Sequence, residues 1–288
     1  NECKQLVKEA EKSEMKQFLL AQNLIEGSDY FPQNTQLGIK YLKQLIKNKY
    51  RDSLIYYCEM LIKGTVVPMN HKKVKKLLDI YLKNQDEIFS LLNGKLLKKE
   101  KRINEACQWF KRSLKNENEE AMYEYGKILF KNAETQEEKK EAIQYFQKSI
   151  NKKCAKAMFK YGTILIKGEK VTMNKEEGIK LIQAAADAGY CKALYSYALM
   201  LEKGEEVPKN KEEYLKCIQK AAMKGHVDAM SKYATEKANS EDTLLNREEY
   251  LVFLKKASDK GNFESMYQYG RAFYFGKLKP KNYSEAAK

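Results

Sequence analysis

Proline and glycine are scarce, at 4 and 14 of 288 residues, and there are one Trp and two His. So few chain breakers exclude a collagen-like or loop-dominated chain. The six cysteines (Cys3, Cys58, Cys107, Cys154, Cys191, Cys217) form no CxxC pair and no fixed spacing. A chain this long buries a core without staples, so they read as reduced thiols. With only His71 and His226 to join them, single satisfied or exposed residues are expected rather than a Cys/His zinc site. No window reaches 18 apolar residues, and Asn1 to Lys16 lacks the apolar stretch of a signal peptide. The expectation is a cytoplasmic chain with no transmembrane segment. It lacks an initiator Met, so it reads as a piece of a longer protein, with room upstream for a signal or a catalytic domain. The single sequon at Asn282 is within chance.

Arginine is the other shortage. Lys and Arg number 54 against 39 acidic residues, a net charge of +15, yet only Arg51, Arg102, Arg112, Arg247 and Arg271 are Arg. A basic balance raises nucleic acid as a partner, but bidentate base and phosphate readout is the work of Arg. The densest basic runs, His71 to Lys76 and Lys95 to Arg102, alternate with acidic stretches at Asn116 to Glu120 and Glu134 to Glu141. A mixed surface favours protein partners over continuous tracking of a phosphate backbone.

What the chain has in abundance is repetition. Ala121, Ala157, Ala193, Ala229 and Ser265 stand 36 residues apart. Four residues beyond each come Tyr125, Tyr161, Tyr197, Tyr233 and Tyr269, each followed by Gly or Ala. Ser53, Tyr57 and Cys58 form an earlier copy, Phe89-Ser90 a weaker one, and the first covers Phe18 to Gly27. Each unit holds two amphipathic patterns: Ala157, Tyr161 and Leu165, then Ile179, Ile182, Ala185 and Ala186. A helix pair cannot bury both stripes alone, so neighbouring units must stack. The fold class expected is all-α: a right-handed α/α superhelix, a single continuous solenoid over residues 1–288. About eight two-helix repeats run at 14–49, 50–84, 85–117, 118–153, 154–189, 190–225, 226–261 and, in part, 262–288.

The joints have a chemistry of their own. Gly64, Gly168, Gly204 and Gly276 follow the first helix of their repeats, where a left-handed residue ends it. Pro68 and Pro208 discourage helix in the residue before them. Asn174, Asn210, Asn246 and Asn282 are each followed at the third residue by Glu (Glu177, Glu213, Glu249, Glu285), predicting N-caps in a capping box. Gly189, Gly225 and Gly261 stop the second helices. Small residues at Ser113, Ser149, Ala185, Ala221 and Ala257 let helices approach closely.

At these residues the sequence resembles the Sel-1-like repeat family, a relative of the tetratricopeptide repeats. Its clearest copy runs Ala193 to Ala198, Gly204 to Asn210, then Lys220-Ala221-Ala222-Met223-Lys224-Gly225 and on to Ala229. The repeats at 85–117 and 226–261 depart from it by losing the loop glycine or proline. The resemblance implies a non-catalytic adaptor that gathers proteins into complexes, among them ubiquitin-ligase assemblies of endoplasmic-reticulum quality control, chitin-synthase regulation and host–microbe signalling. A secreted bacterial branch pairs cysteines within each unit, and the scattered cysteines here depart from that pattern.

No GxGxxG, GxxxxGK[ST], HExxH or GxSxG motif occurs. Ser13-x-x-Lys16 and Ser149-x-x-Lys152 lack the partners of an acylating serine. Paired carboxylates such as Glu119-Glu120, Glu137-Glu138 and Glu248-Glu249 stand at helix starts, where the helix dipole explains them. The expectation is no enzyme, no cofactor and no metal.

If a partner binds, helix geometry picks the face. With the Ala column as zero, offsets 2 and 6 point about 200° and 240° away from it. They hold Tyr123, Phe159, Tyr195 and Tyr267, and Lys127, Thr163, Leu199, Thr235 and Arg271. Tyr123, Lys127, Phe159, Thr163, Tyr195, Leu199, Tyr267 and Arg271 are therefore the candidate partner-binding residues. Aromatic rings on the inner curve of a superhelix suit a peptide or a partner's helix. The alternative is that those rings pack against the next repeat. Two other functions stay open: a basic repeat that binds RNA or another polyanion, and a regulatory repeat region attached to an upstream enzyme domain such as a kinase.

Overall fold

The computed structural model describes residues 9–10, 13–27, 33–64, 66–81, 87–239, 244–275 and Ser284, and those residues contain no strand. First and second helices alternate. They are α1 (Glu14–Glu26), α2 (Thr35–Lys47), α3 (Arg51–Lys63), α4 (His71–Tyr81), α5 (Glu87–Lys99), α6 (Ile103–Leu114), α7 (Glu119–Asn132) and α8 (Gln136–Asn151). There follow α9 (Ala155–Lys167), α10 (Lys175–Asp187), α11 (Cys191–Lys203), α12 (Lys211–Met223), α13 (Val227–Asn239), α14 (Leu244–Ser258) and α15 (Phe263–Phe275). The chain divides into two compact units, residues 1–152 and 153–288.

The columns of the repeat are core columns. Ala121, Ala157, Ala193, Ala229 and Ser265 are fully enclosed, and Tyr125, Tyr161, Tyr197 and Tyr233 are buried beside them. In the first unit Leu42, Leu78, Leu92, Leu96 and Phe110 fill the space between helices, and in the second Ile182, Leu194, Ile218 and Leu254 do so. Each such side chain contributes about 1.5–3 kcal/mol on burial. Small residues set how close the helices come. A Cβ on Gly162 would lie 2.7 Å from the Gly178 carbonyl oxygen, and one on Gly178 2.8 Å from that of Gly162, so α9 and α10 cross backbone to backbone. Ser113 and Ser149 do more than leave room: their Oγ atoms donate to the carbonyls of Glu87 and Glu119 at 3.1 and 2.7 Å, tying each second helix to the start of its first.

The joints follow the expected chemistry with two differences. Gly64, Gly168 and Gly204 take left-handed backbone at the ends of α3, α9 and α11. Asn174 and Asn210 cap α10 and α12, their Oδ1 atoms accepting from the N–H groups of Glu177 and Glu213 at 3.1 and 3.0 Å. The return arm of the box differs from expectation. Each Glu carboxylate accepts from the Asn side-chain amide, and the Asn174 backbone N–H instead donates to the Leu165 carbonyl at 3.0 Å. The second difference is Asn246, the third residue of α14 rather than its cap. With no Gly or Pro before it, the helix begins at Leu244. Asn282 and Gly276 lie outside the described residues.

Candidate interaction surface

On the first helices, the predicted face divides into aromatic positions that hold repeats together and polar positions that point out. Phe159 meets Tyr190 edge-on at 5.5 Å between ring centroids, and Tyr195 stacks on His226 at 4.4 Å and 26°. Tyr190 and His226 directly precede α11 and α13, so each ring is braced by the start of the next repeat. Phe18 repeats the arrangement against Tyr50 at 5.8 Å. The outward position expected for Tyr123 is a correction: its side chain is buried at 8% exposure. A large ring gains free energy by covering apolar surface rather than standing in water, and at Tyr123 that gain outweighs the outward helical phase. Burial pushes the Tyr195 hydroxyl above its ordinary range, with Asp228 and Glu202 adding to it.

Tyr267 is different, with 60% of its side chain exposed and the Arg271 guanidinium 5.4 Å above its ring. Lys127 sits likewise over Tyr123 at 5.1 Å, and 3.8 Å from Glu124. Thr163 turns its hydroxyl inward, donating to the Phe159 carbonyl one turn back at 2.7 Å. Leu199 is half-buried, and Thr235 is exposed. In the second unit, Thr163, Leu199 and Thr235 thus occupy one position on three successive first helices, α9, α11 and α13, flanked by the braced rings of Phe159 and Tyr195.

The first-helix face of the first unit is charged. Lys95 of α5 lies between Glu59 of α3, at 2.6 Å, and Glu120 of α7, at 2.8 Å, and Lys63 adds a contact of 3.1 Å to Glu59. Burial would raise the Glu59 carboxyl, but Lys95 and then Lys63 outweigh it and hold it at about 2. Lys98 pairs with Glu124. In the second unit Lys232 of α13 meets both oxygens of Glu202 of α11 at 2.9 Å, the same register with signs exchanged. The basic run Lys95 to Arg102 is therefore largely spent: Lys95 and Lys98 are bridged to neighbouring helices, and Arg102 grips Glu105 at 2.6 and 2.7 Å. The sequence carried a signal for these rungs, opposite charges 25 to 36 residues apart on first helices, that the repeat columns alone do not reveal.

No group of three or more His, Cys, Asp or Glu among the described residues is placed to hold a metal ion, and no helix of the described residues is long and apolar enough to cross a membrane. Burial pushes the Cys58 thiol up to about 12 and raises the Cys107, Cys191 and Cys217 thiols as well, which favours the unreactive protonated form.

Comparison with known proteins agrees with this geometry. The chain is similar to a Sel1 repeat protein from Oxalobacter formigenes, at 19% identity over 98% of this chain and 83% of that one, with a TM-score of 0.58. It is also similar to c5321, a protective antigen of uropathogenic Escherichia coli strains displaying an SLR fold, at 15% identity over 99% and 77% of the two chains, with a TM-score of 0.51. No curated protein sequence matches it significantly. The family model for the Sel1 repeat matches residues 17–50, 119–154, 155–190, 191–226 and 263–288, more than half of the sequence, and the chain belongs to the Sel1 repeat family.

Proposed function

We propose that the protein is a non-catalytic scaffold that binds other proteins through the first helices of its repeats, as an adaptor in a multiprotein complex of the quality-control or signalling kind. The observation that carries this reading is the row formed by Thr163, Leu199 and Thr235 on α9, α11 and α13. It sets small and aliphatic groups on successive helices, in a surface pre-organised by the Phe159–Tyr190 and Tyr195–His226 ring pairs. A rigid surface loses little side-chain freedom on binding, so more of the contact energy appears as affinity. The helix of a partner laid across three such helices meets one anchor per helix.

The test is capture from a nuclease-treated native lysate with the wild-type chain and with a Leu199→Glu, Thr235→Arg variant. These two positions do not brace the repeats, so the variant keeps its helicity. The reading expects a nuclease-resistant protein partner that the variant loses. Retention by the variant, or recovery of nucleic acid alone, would contradict it. The RNA-binding alternative has less support, since Lys95, Lys98 and Arg102 are already engaged by carboxylates.

A further inference from the structure

A concentration of exposed cations with no carboxylate partner among the described residues lies on second helices of the first unit. Between Thr35 and Lys115 stand 19 Lys and Arg against 7 Asp and Glu, so this stretch carries +12 of the chain's +15. Its first-helix cations Lys63, Lys95 and Lys98 are paired as described. On α2, Lys40, Lys43 and Lys47 are exposed, and on α4 so are Lys72, Lys75 and Lys76. None of these six forms an ion pair among the described residues; Lys75 only adds to the field at Glu105, whose own partner is Arg102. Helix α2 contains no Asp or Glu, and α4 contains only Asp79.

These lysines form rows. At 100° per residue, Lys40, Lys43 and Lys47 share an arc of about 60° opposite buried Leu42, Leu45 and Ile46, and the row runs about 10 Å along the axis. Lys72, Lys75 and Lys76 share an arc of about 100°, turned away from buried Val74 and Leu78. The second helices of the other unit are built differently. There Lys180 and Lys216 are each neutralised one turn back, by Glu176 at 2.6 Å and Glu212 at 2.5 Å.

We propose that the outer faces of α2 and α4 are a docking surface for an acidic helical segment of a partner protein. The protein's own first-helix face supplies the template. Lys95 is held between carboxylates of the helices on either side, and Lys232 and Lys98 each meet a Glu on the adjacent helix. The rows on α2 and α4 are half of such a ladder. A nucleic acid is the poorer fit. The rows are all Lys, which offers point charges rather than the fork that grips phosphate or guanine. The ring of Tyr41 on α2 packs against the core instead of offering a stacking platform. The basic surface also stops short, because α8 carries exposed Glu137 and Glu141. A bounded patch suits a short helix, whereas a phosphate backbone follows an extended track.

This surface is distinct from the first-helix face, so the two readings fail separately. The test uses the full chain and a labelled helical peptide of about 20 residues with Glu at i, i+3 and i+7 spacing, read by fluorescence anisotropy. The wild type is expected to bind, more weakly as salt rises. Reversal by Lys40→Glu, Lys43→Glu, Lys72→Glu and Lys75→Glu should weaken binding at least about tenfold, a loss on the order of that for several charge contacts. The four matching Lys→Gln changes should weaken it by less, and Lys180→Glu with Lys216→Glu should leave it as in wild type. Circular dichroism establishes that each variant is folded. No binding by the wild type, equal binding by the folded reversal variant, or displacement of the peptide by poly(U) RNA or phosphatidylserine vesicles at lower concentration would each overturn the proposal.

Discussion

Replacing Gly162 by Ala sets two well-measured tendencies against each other. In the middle of a helix the exchange ordinarily stabilises by about 1 kcal/mol, because Ala loses less backbone freedom on folding. Here the new methyl would lie 2.7 Å from the Gly178 carbonyl oxygen, 3.0 Å from Ile182 Cγ1 and 3.2 Å from Leu181 Cβ. The nearest of these is backbone and cannot rotate aside, so α9 and α10 must separate by roughly half an ångström or more along the crossing. Overpacking of this kind costs about 1–3 kcal/mol, and the upper part of that range applies where main chain is hit. The expected balance is a loss of about 1–2 kcal/mol, measured by urea denaturation of the full chain followed by far-UV circular dichroism. Gly178→Ala should act alike, with its Cβ 2.6 Å from Ile166 Cγ1 and 2.8 Å from the Gly162 carbonyl oxygen. Once the first methyl has parted the helices, the second meets less resistance, so the double variant should lose less than the sum of the two. A raised denaturation midpoint for either single variant would refute the close crossing.

Acid should weaken the first unit through Glu59, whose carboxyl is held from 4.5 down to about 2. That stabilisation, up to about 3 kcal/mol, is present above the ordinary value and is lost as pH falls through the lowered one, so Glu59→Gln should flatten this part of the acid unfolding curve. His226 acts at milder pH. Its Nδ1 accepts from the Ala229 N–H at 3.4 Å, and burial lowers its pKa from 6.5, against Asp228 and with Lys192. The unfolded chain therefore binds the proton first, and stability is expected to fall below pH about 6.5, whereas His226→Asn, which keeps a cap like that of Asn262, should remove this dependence. Gly261→Ala tests backbone strain alone: φ is +87° and nothing lies within 4 Å of the added methyl, so a loss of about 1–2 kcal/mol in thermal denaturation is expected.

The columns of the repeat were legible because packing imposes them: a buried Ala or a left-handed Gly has few substitutes, so its spacing survives in the sequence. The Asn caps at Asn174 and Asn210 were legible for the same reason. The cap at Thr135 was missed, although there Thr135 Oγ1 accepts from the Glu138 N–H while the Glu138 carboxylate accepts from the Thr135 N–H, at 3.2 Å each. Thr serves as well as Asn at an N-cap, so a search keyed to Asn passes over it. The outward face was only half legible. Helical phase places Tyr123, Phe159 and Tyr195 away from their own Ala column, but it cannot say that Tyr190 and His226 arrive from the next repeat to cover the last two. The inter-helix ion pairs were legible only as opposite charges on neighbouring first helices, because a Lys in a basic run reads the same whether or not a Glu on another helix waits for it.

The central claim, that partners dock on the first helices, is tested most directly by cross-linking the captured partner to the full chain and mapping the linked lysines by mass spectrometry. The account predicts links from Lys160 and Lys232, which flank the Thr163, Leu199 and Thr235 row, and their loss with Leu199→Glu and Thr235→Arg. Links confined to Lys180 and Lys216 on the second helices, unaffected by those changes, would contradict it.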